Sequence, residues 1–410
     1  MLNIQSRRNP VAILIGALFT LALALGMVTL PSGPAHAAEM TENAGDFRYR
    51  FDPTAPEAGA VVDYYYGQRA VDVVIPAEVQ LRGKNYAVTG IGKDAFFYAP
   101  ITAITIPDGV TFIGERAFGN TGFAEVVIPD SVTSIGDSAF AESKLETMTW
   151  PKNVTVIGDE TFSRSPLRSI DIPEGVTSIG DAAFSSTKLT TVKLPSSLTS
   201  MGTRAFAYTL LTSVELSPNL TAIANQAFSQ APLESVVIPE GVTSIGTMAF
   251  FQSKYQGSIS GTPTGLQSVT LPSTLTHLGD DSLLGGRLTA IDFPAGLVYI
   301  GSGALNGNQL QDVTIPASVT VIGSGAFTEN PSLAGITLEG DAPEIAQAGR
   351  GESFPSDTAT LHFLCVYDNY NKAEWQGYDL SSECEVTFDY QYDGKVSTVV
   401  TDYRHLLERV

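Results

Sequence analysis

Apolar and polar positions along most of this chain follow a phrase that returns every 22 residues, I-P-x-x-V-T-x-I-G-x-x-A-F. Its proline falls at Pro107, Pro129, Pro151, Pro173 and Pro195. After a displaced Ser217-Pro218 it resumes at Pro239, Pro272, Pro294 and Pro316, and Glu339 holds the last slot. Two intervals depart from the period by more than one residue. The step from Pro239 to Pro272 carries an 11-residue insertion around 252–265, and Pro76 precedes Pro107 by 31 residues as an atypical entry unit.

Each unit divides into three pieces. The first, L-x-x-L-x-L, places large apolar residues such as Leu167, Ile170 and Ile172 so that its last four positions alternate, the mark of a strand with one buried face. The proline then ends that strand, having no N–H to give to a ladder. The second piece, V-T-x-I-G, turns residues such as Val132 and Ile135 inward, and its glycine (Gly114, Gly136, Gly158, Gly180) suits a tight corner or a positive φ. The third is the pair Ala-Phe.

A single unit cannot bury this much apolar surface, whereas stacked units lay like residues over like. A phenylalanine column is expected through Phe96, Phe118, Phe140, Phe162, Phe184, Phe206, Phe228 and Phe250, lapsing to Leu283 and Leu305 before Phe327. Burial of each ring contributes ~1.5–3 kcal/mol. Eleven strands, from 101–106 to 333–338, at ~4.8 Å apart make a ribbon ~50 Å long.

The phrase L-x-x-I-x-I-P-x-x-V-T-x-I-G-x-x-A-F resembles the BspA-like branch of the leucine-rich repeat superfamily, over about residues 71 to 339. The resemblance implies a β-rich solenoid: a right-handed, curved array of about eleven units with parallel strands on the concave face and capping ends. It also implies an exported surface protein that adheres or binds partners. Ser217-Pro218, Ala224 in a glycine slot, the two leucines and the insertion depart from the pattern locally. A right-handed parallel β-helix is the competing fold; one strand per unit and the short Ala-Phe turn favour the leucine-rich repeat.

The ends read differently. Arg7-Arg8, an apolar run over 11–30, Pro31-Ser32-Gly33-Pro34 and Ala35-His36-Ala37 follow the order of a secretory signal peptide, with cleavage expected after Ala37. An N-terminal membrane anchor is the other reading of that run. Residues 38–90 are expected to form an N-terminal cap and entry unit, with strands at 47–51, 61–66 and 71–75, ahead of the solenoid at 91–339. A C-terminal cap is expected over 340–387. Residues 388–410 resemble the opening of a Listeria–Bacteroides (internalin-type B) repeat, a further surface module. Export lets Cys365 and Cys384, 19 residues apart, form a disulfide; two separate buried thiols are the alternative. A bridge there is worth ~3 kcal/mol on the chain-entropy model.

Composition narrows the function. Asp and Glu number 43 against 23 Lys and Arg, a net charge of −20 with no basic run, which argues against nucleic acid as a partner. No stretch after the leader is apolar and long enough for a transmembrane helix. Two cysteines and four histidines leave little for metal or nucleophilic chemistry, and H-E-x-x-H, nucleophile-elbow, P-loop and C-x-x-C motifs are absent. No cofactor is implied. Gly301-Ser302-Gly303 reads as a repeat corner, Asp280-Asp281 as a solvated corner, and the sequons at Asn153 and Asn219 as products of the repetition.

The outward strand positions are the candidate contact surface: Thr147, Thr149, Ser169, Asp171, Thr191, Lys193, Ser213 and Glu215. Hydroxyls dominate them, which suits recognition of an extracellular protein or glycan better than catalysis. Asp171 and Glu215, two strands apart with Lys193 between, are the nearest approach to a glycosidase pair. Lys254 and Tyr255 in the insertion are a second candidate. The expected protein is a monomeric, non-catalytic binder; a structural spacer and, further off, a carbohydrate-active enzyme are the other readings.

Overall fold

The computed structural model describes residues 39–252, 265–340 and 343–346, with short strands at 360–363, 374–375 and 378–379. The expected signal peptide, Lys254, Tyr255, Cys365 and Cys384 lie outside the described residues, as does most of the chain after 346. Strands β1 (Met40–Ala44), β2 (Phe47–Phe51) and β3 (Ala60–Tyr65) form an antiparallel meander. After β4 (Val71–Val74), strands β5 (Glu78–Leu81) and β6 (Lys84–Ile91) form a hairpin, and β6 runs parallel to β3. The three stretches expected as strands in this region are strands.

Two parallel ladders then alternate along the chain. The first coils supply β7 (Ile101–Thr105), β8 (Phe112–Ile113), β9 (Glu125–Val127), β10 (Ser134–Ile135), β11 (Thr147–Thr149) and β12 (Val156–Ile157). Next come β13 (Ser169–Asp171), β14 (Ser178–Ile179), β15 (Thr191–Lys193), β16 (Ser200–Met201), β17 (Ser213–Glu215) and β18 (Ala222–Ile223). β19 (Ser235–Val237), β20 (Ser244–Ile245), β21 (Ser268–Thr270), β22 (His277–Leu278) and β23 (Tyr299–Ile300) follow. β24 (Asp312–Ile315), β25 (Val321–Gly323) and β26 (Gly335–Leu338) complete the run. The L-x-x-L-x-L pieces make one ladder as expected, although the segment at 290–292 follows its course without pairing.

The second ladder is a finding that the repeat pattern did not announce. Its strands are mostly two residues long, x-Ile in the V-T-x-I-G piece, too short to show alternation. They pair in register, Ser134 with Phe112 and Ser178 with Val156, and within each paired run the Thr and Gly amides reach one coil back. Thr133 N donates to Thr111 O at 2.8 Å, and Gly136 N to Ile113 O at 2.8 Å. The ladder is interrupted between β10 and β12 and between β16 and β18. Ala224 sits at the second interruption, but Gly158 sits at the first, so the alanine alone does not account for both.

The core is the stacked interior. Phe96, Phe118, Phe140, Phe162, Phe184, Phe206, Phe228 and Phe250 are buried, and neighbouring rings lie 5.0 to 5.7 Å apart, with Tyr65 of the cap continuing the column at 5.4 Å from Phe96. Where Leu283 and Leu305 take the slot, Phe293 turns edge-on to Phe327 at 6.5 Å and occupies some of the lost volume.

The glycine of V-T-x-I-G is needed for a different reason from positive φ. Gly136 and Gly180 lie outside the left-handed region, yet a Cβ on Gly180 would fall 2.6 Å from Asp159 N and 2.7 Å from Gly158 C, both on the preceding coil. Side-chain atoms there would push two coils apart. Positive φ falls on non-glycine residues of the Ala-Phe turn, such as Arg116 (51°) and Asn120 (56°), then Ser138 and Glu142, and Ala182 and Ser186. That conformation costs ~1–2 kcal/mol per L-residue. It aims the amides along the stack: Arg116 N donates to Asp137 O at 2.9 Å, Phe118 N to Ala139 O at 2.8 Å, and Asn120 N to Ala141 O at 2.9 Å.

Polar ladders follow the same register. Asp159 N donates to Asp137 Oδ1 at 3.0 Å and Asp181 N to Asp159 Oδ1 at 2.7 Å, so a column of like charges is held by backbone donors. Glu142 accepts from Asn120 and from Arg164, and these hydrogen bonds hold its carboxyl below the ordinary value of 4.5. Hydrogen bonds from the Ser196 backbone and hydroxyl, and from Ser197, do the same for Glu174.

Three substitutions test the stacking in denaturant titrations. Phe184→Ala is expected to cost ~3–5 kcal/mol, Gly180→Ala ~1–3 kcal/mol, and Ala182→Gly is expected to stabilise by up to ~1 kcal/mol. Acid provides a second check. A carboxyl whose folded pKa is depressed stabilises the fold above its unfolded value and ceases to as pH falls through the folded value. The melting midpoint is therefore expected to drop as pH falls below about 4.5, less steeply in Glu142→Gln.

Candidate binding face

The eight outward strand residues lie together on one exposed face. Register sets Thr147 beside Ser169, Thr149 beside Asp171, Thr191 beside Ser213, and Lys193 beside Glu215. Each strand keeps its middle residue inward, with Met148 and Val192 buried and Ile170 and Val214 half-buried. Strands β13 and β15 do not pair, so the ladder is made of short groups. Among the described residues no ion pair joins Lys193 to Asp171 or Glu215.

Hydroxyls are used in opposite ways on the two ladders. On the V-T-x-I-G side, Thr111 Oγ1 donates to Thr89 O at 3.0 Å, Thr133 to Thr111 O at 3.2 Å, and Thr276 to Thr243 O at 3.0 Å. Those groups hold one coil to the next. On the strand face, Thr147, Thr149, Ser169, Thr191 and Ser213 are exposed, and among the described residues their side chains make no hydrogen bond. Their donors and acceptors remain for solvent or a partner.

The face is hollowed at one end. A groove of about 660 Å³ opens over β7, β9 and β11, lined by Ala103, Thr105, Thr147 and Thr149 among others, with Ile104, Val126 and Met148 below and Asp108 and Glu125 alongside. It lies where β7 pairs with β4 and not with β9. Thr147 and Thr149 were candidates from the repeat; Glu125 and Val127 fall on its outward strand positions without being chosen as contact residues, and Asp108 lies off those positions. Val127 is 79 % exposed, but its row also holds the exposed Val74 and Val237, so the sequence alone did not single it out.

Other candidates serve the fold. Ser302 N donates to Asp280 Oδ1 at 2.8 Å and Tyr299 Oη to the same oxygen at 3.2 Å, so the Gly301-Ser302-Gly303 corner and Asp280 are spent on each other. Burial, with the Asp280 charge, pushes the Tyr299 phenol above its ordinary value. Both sequon amides are engaged, Asn153 Nδ2 donating to Asp130 O at 2.7 Å and Asn219 Nδ2 to Ser196 O at 2.8 Å. Among the described residues no group of three His, Cys, Asp or Glu side chains is placed to hold a metal ion, and no helix is long and apolar enough to cross a membrane.

Comparison with known proteins agrees with this geometry. The model of the BspA type leucine rich repeat region matches six copies, over residues 89–210, 144–256 and 261–348. The chain belongs to the BspA-type leucine-rich repeat family. Solved structures share the fold. A leucine-rich repeat protein from Bacteroides ovatus is 24% identical with a TM-score of 0.50, over 78% of this chain and 70% of that one. The pneumococcal vaccine antigen PcpA is 18% identical with a TM-score of 0.51, over 80% and 94%. A leucine-rich cell surface protein from Faecalibacterium prausnitzii is 24% identical with a TM-score of 0.47, over 74% and 90%. No curated protein matches significantly.

The contrast between the two ladders is measurable. Thr111→Val is expected to cost ~0.5–1.5 kcal/mol in denaturant unfolding, and Thr191→Val to stay within ~0.5 kcal/mol of the parent.

Proposed function

We propose that this chain is an exported or cell-surface protein whose strand face binds an extracellular macromolecule, protein or glycan, and performs no chemistry on it. The observation that carries this reading is the row of uncommitted hydroxyls from Thr147 to Ser213 on an otherwise tightly bonded molecule. A rigid stack presents them at a fixed spacing, which lowers the ordering cost of binding. The leader-like first 37 residues support export, and the surface protein from Faecalibacterium prausnitzii shares the repeat. Asp171 and Glu215 sit on exposed strands either side of Lys193, a cation between the two carboxylates, which favours recognition over hydrolysis. The solenoid acts as a monomer.

Replacement of Thr149, Ser169, Asp171 and Thr191 together by tryptophan is expected to abolish saturable binding to the ligand found by screening matrix proteins and glycans by surface plasmon resonance. The melting midpoint should move little. Retained binding would leave the solenoid as a spacer.

A further inference from the structure

We propose that the groove over β7, β9 and β11 is a docking site for an extended polypeptide carrying a short aliphatic stretch flanked by lysine or arginine. This rests on the binding reading above and narrows it to one place and one ligand chemistry. The floor is apolar, formed by the edges of Ile104, Val126 and Met148, and Val127 stands 79 % exposed at its side. Val127 has no role in the core, and among the exposed valines of its outward row it is the one that lines the groove; Val237 of β19, 67 % exposed, stands outside that lining. In the same outward row Val74 of β4 is 66 % exposed, with Thr105 between them, so apolar surface continues past the groove.

Charge selects the ligand. Asp108 and Glu125 border the groove, and among the described residues their side chains make no hydrogen bond or ion pair, unlike those of Asp94, Glu115, Asp130, Glu142 and Glu146, which are each paired with a basic side chain. None of the lining residues is basic, and the nearest cation in the outward rows is Lys193, three strands beyond β9. On a chain of net charge −20, two uncompensated carboxylates beside apolar surface favour a cation with an aliphatic neighbour. None of the lining side chains is aromatic, so a sugar ring has no face to stack on. A strand-like segment presents alternate side chains to one side, and two aliphatic residues of such a segment fit over Val126 and Met148.

The test uses the whole secreted chain and fluorescein-labelled synthetic peptides, in which two valines are flanked by lysines, serines or glutamates. Fluorescence polarisation at low salt is expected to rank them lysine, serine, glutamate. The lysine peptide should weaken with added salt. Asp108→Lys with Glu125→Lys is expected to weaken the lysine peptide at least about tenfold and to place the glutamate peptide first. Glu125→Gln, the milder variant, should weaken the lysine peptide alone, and Val127→Ser should weaken all three. Equal binding of the three peptides, or none, overturns the proposal. So does capture of a cello- or chito-oligosaccharide that falls with Val127→Ser. Lysine-peptide binding that survives both charge reversals but is lost on replacing Thr191 and Ser213 also overturns it, while leaving the wider strand face as the binding surface.

Discussion

Successive coils approach to the ~4.8 Å strand spacing, and almost every other feature of the molecule answers to that distance. Backbone hydrogen bonds run from coil to coil at both ladders and at the Ala-Phe turn, so an increase at any one of them opens the others. The glycine slot exists because a Cβ would meet the preceding backbone at 2.5 to 2.7 Å, as at Gly136 and Gly180. Phenylalanine rings stack at 5.0 to 5.7 Å, slightly more than the strand spacing, and fill the widest part of the coil. Because each coil touches only its neighbours, stability is a sum of these nearest-neighbour terms.

Strain at the turns is the cost of keeping the amides aimed. Arg116, Asn120, Ser138 and Glu142 are held in the left-handed region by paired amides and by coils on either side. In the later coils Gly285, Gly303, Gly307 and Gly325 occupy the same slots and relieve the strain, in the part of the chain where Leu283 and Leu305 also thin the aromatic column. Weaker packing and a more relaxed turn thus occur together.

Much of this was legible before any coordinates, because a repeat states its core many times. Phe96 to Phe250 and the outward positions Thr147 to Glu215 fall where the period puts them. The second ladder was not legible, since a pair such as Ser134-Ile135 is too short to alternate. Of the two readings of the V-T-x-I-G glycine, the tight corner holds and positive φ does not: glycine there marks contact between coils, while residues such as Arg116, Ser138 and Ala182 adopt the unusual backbone. Nor does anything in the residues of β7 and β9 announce that they fail to pair, and the groove depends on that failure. Val127 beside Glu125 acquires meaning only once the hollow is seen.

The separation of committed from uncommitted hydroxyls has a consequence for how such a protein diversifies. Mutations at Thr111 or Thr133 are constrained by the coil they fasten, whereas among the described residues the side chains of Thr149, Ser169 and Thr191 hydrogen-bond to nothing. Side chains on the strand face can therefore be exchanged one coil at a time while the scaffold beneath keeps its bonds.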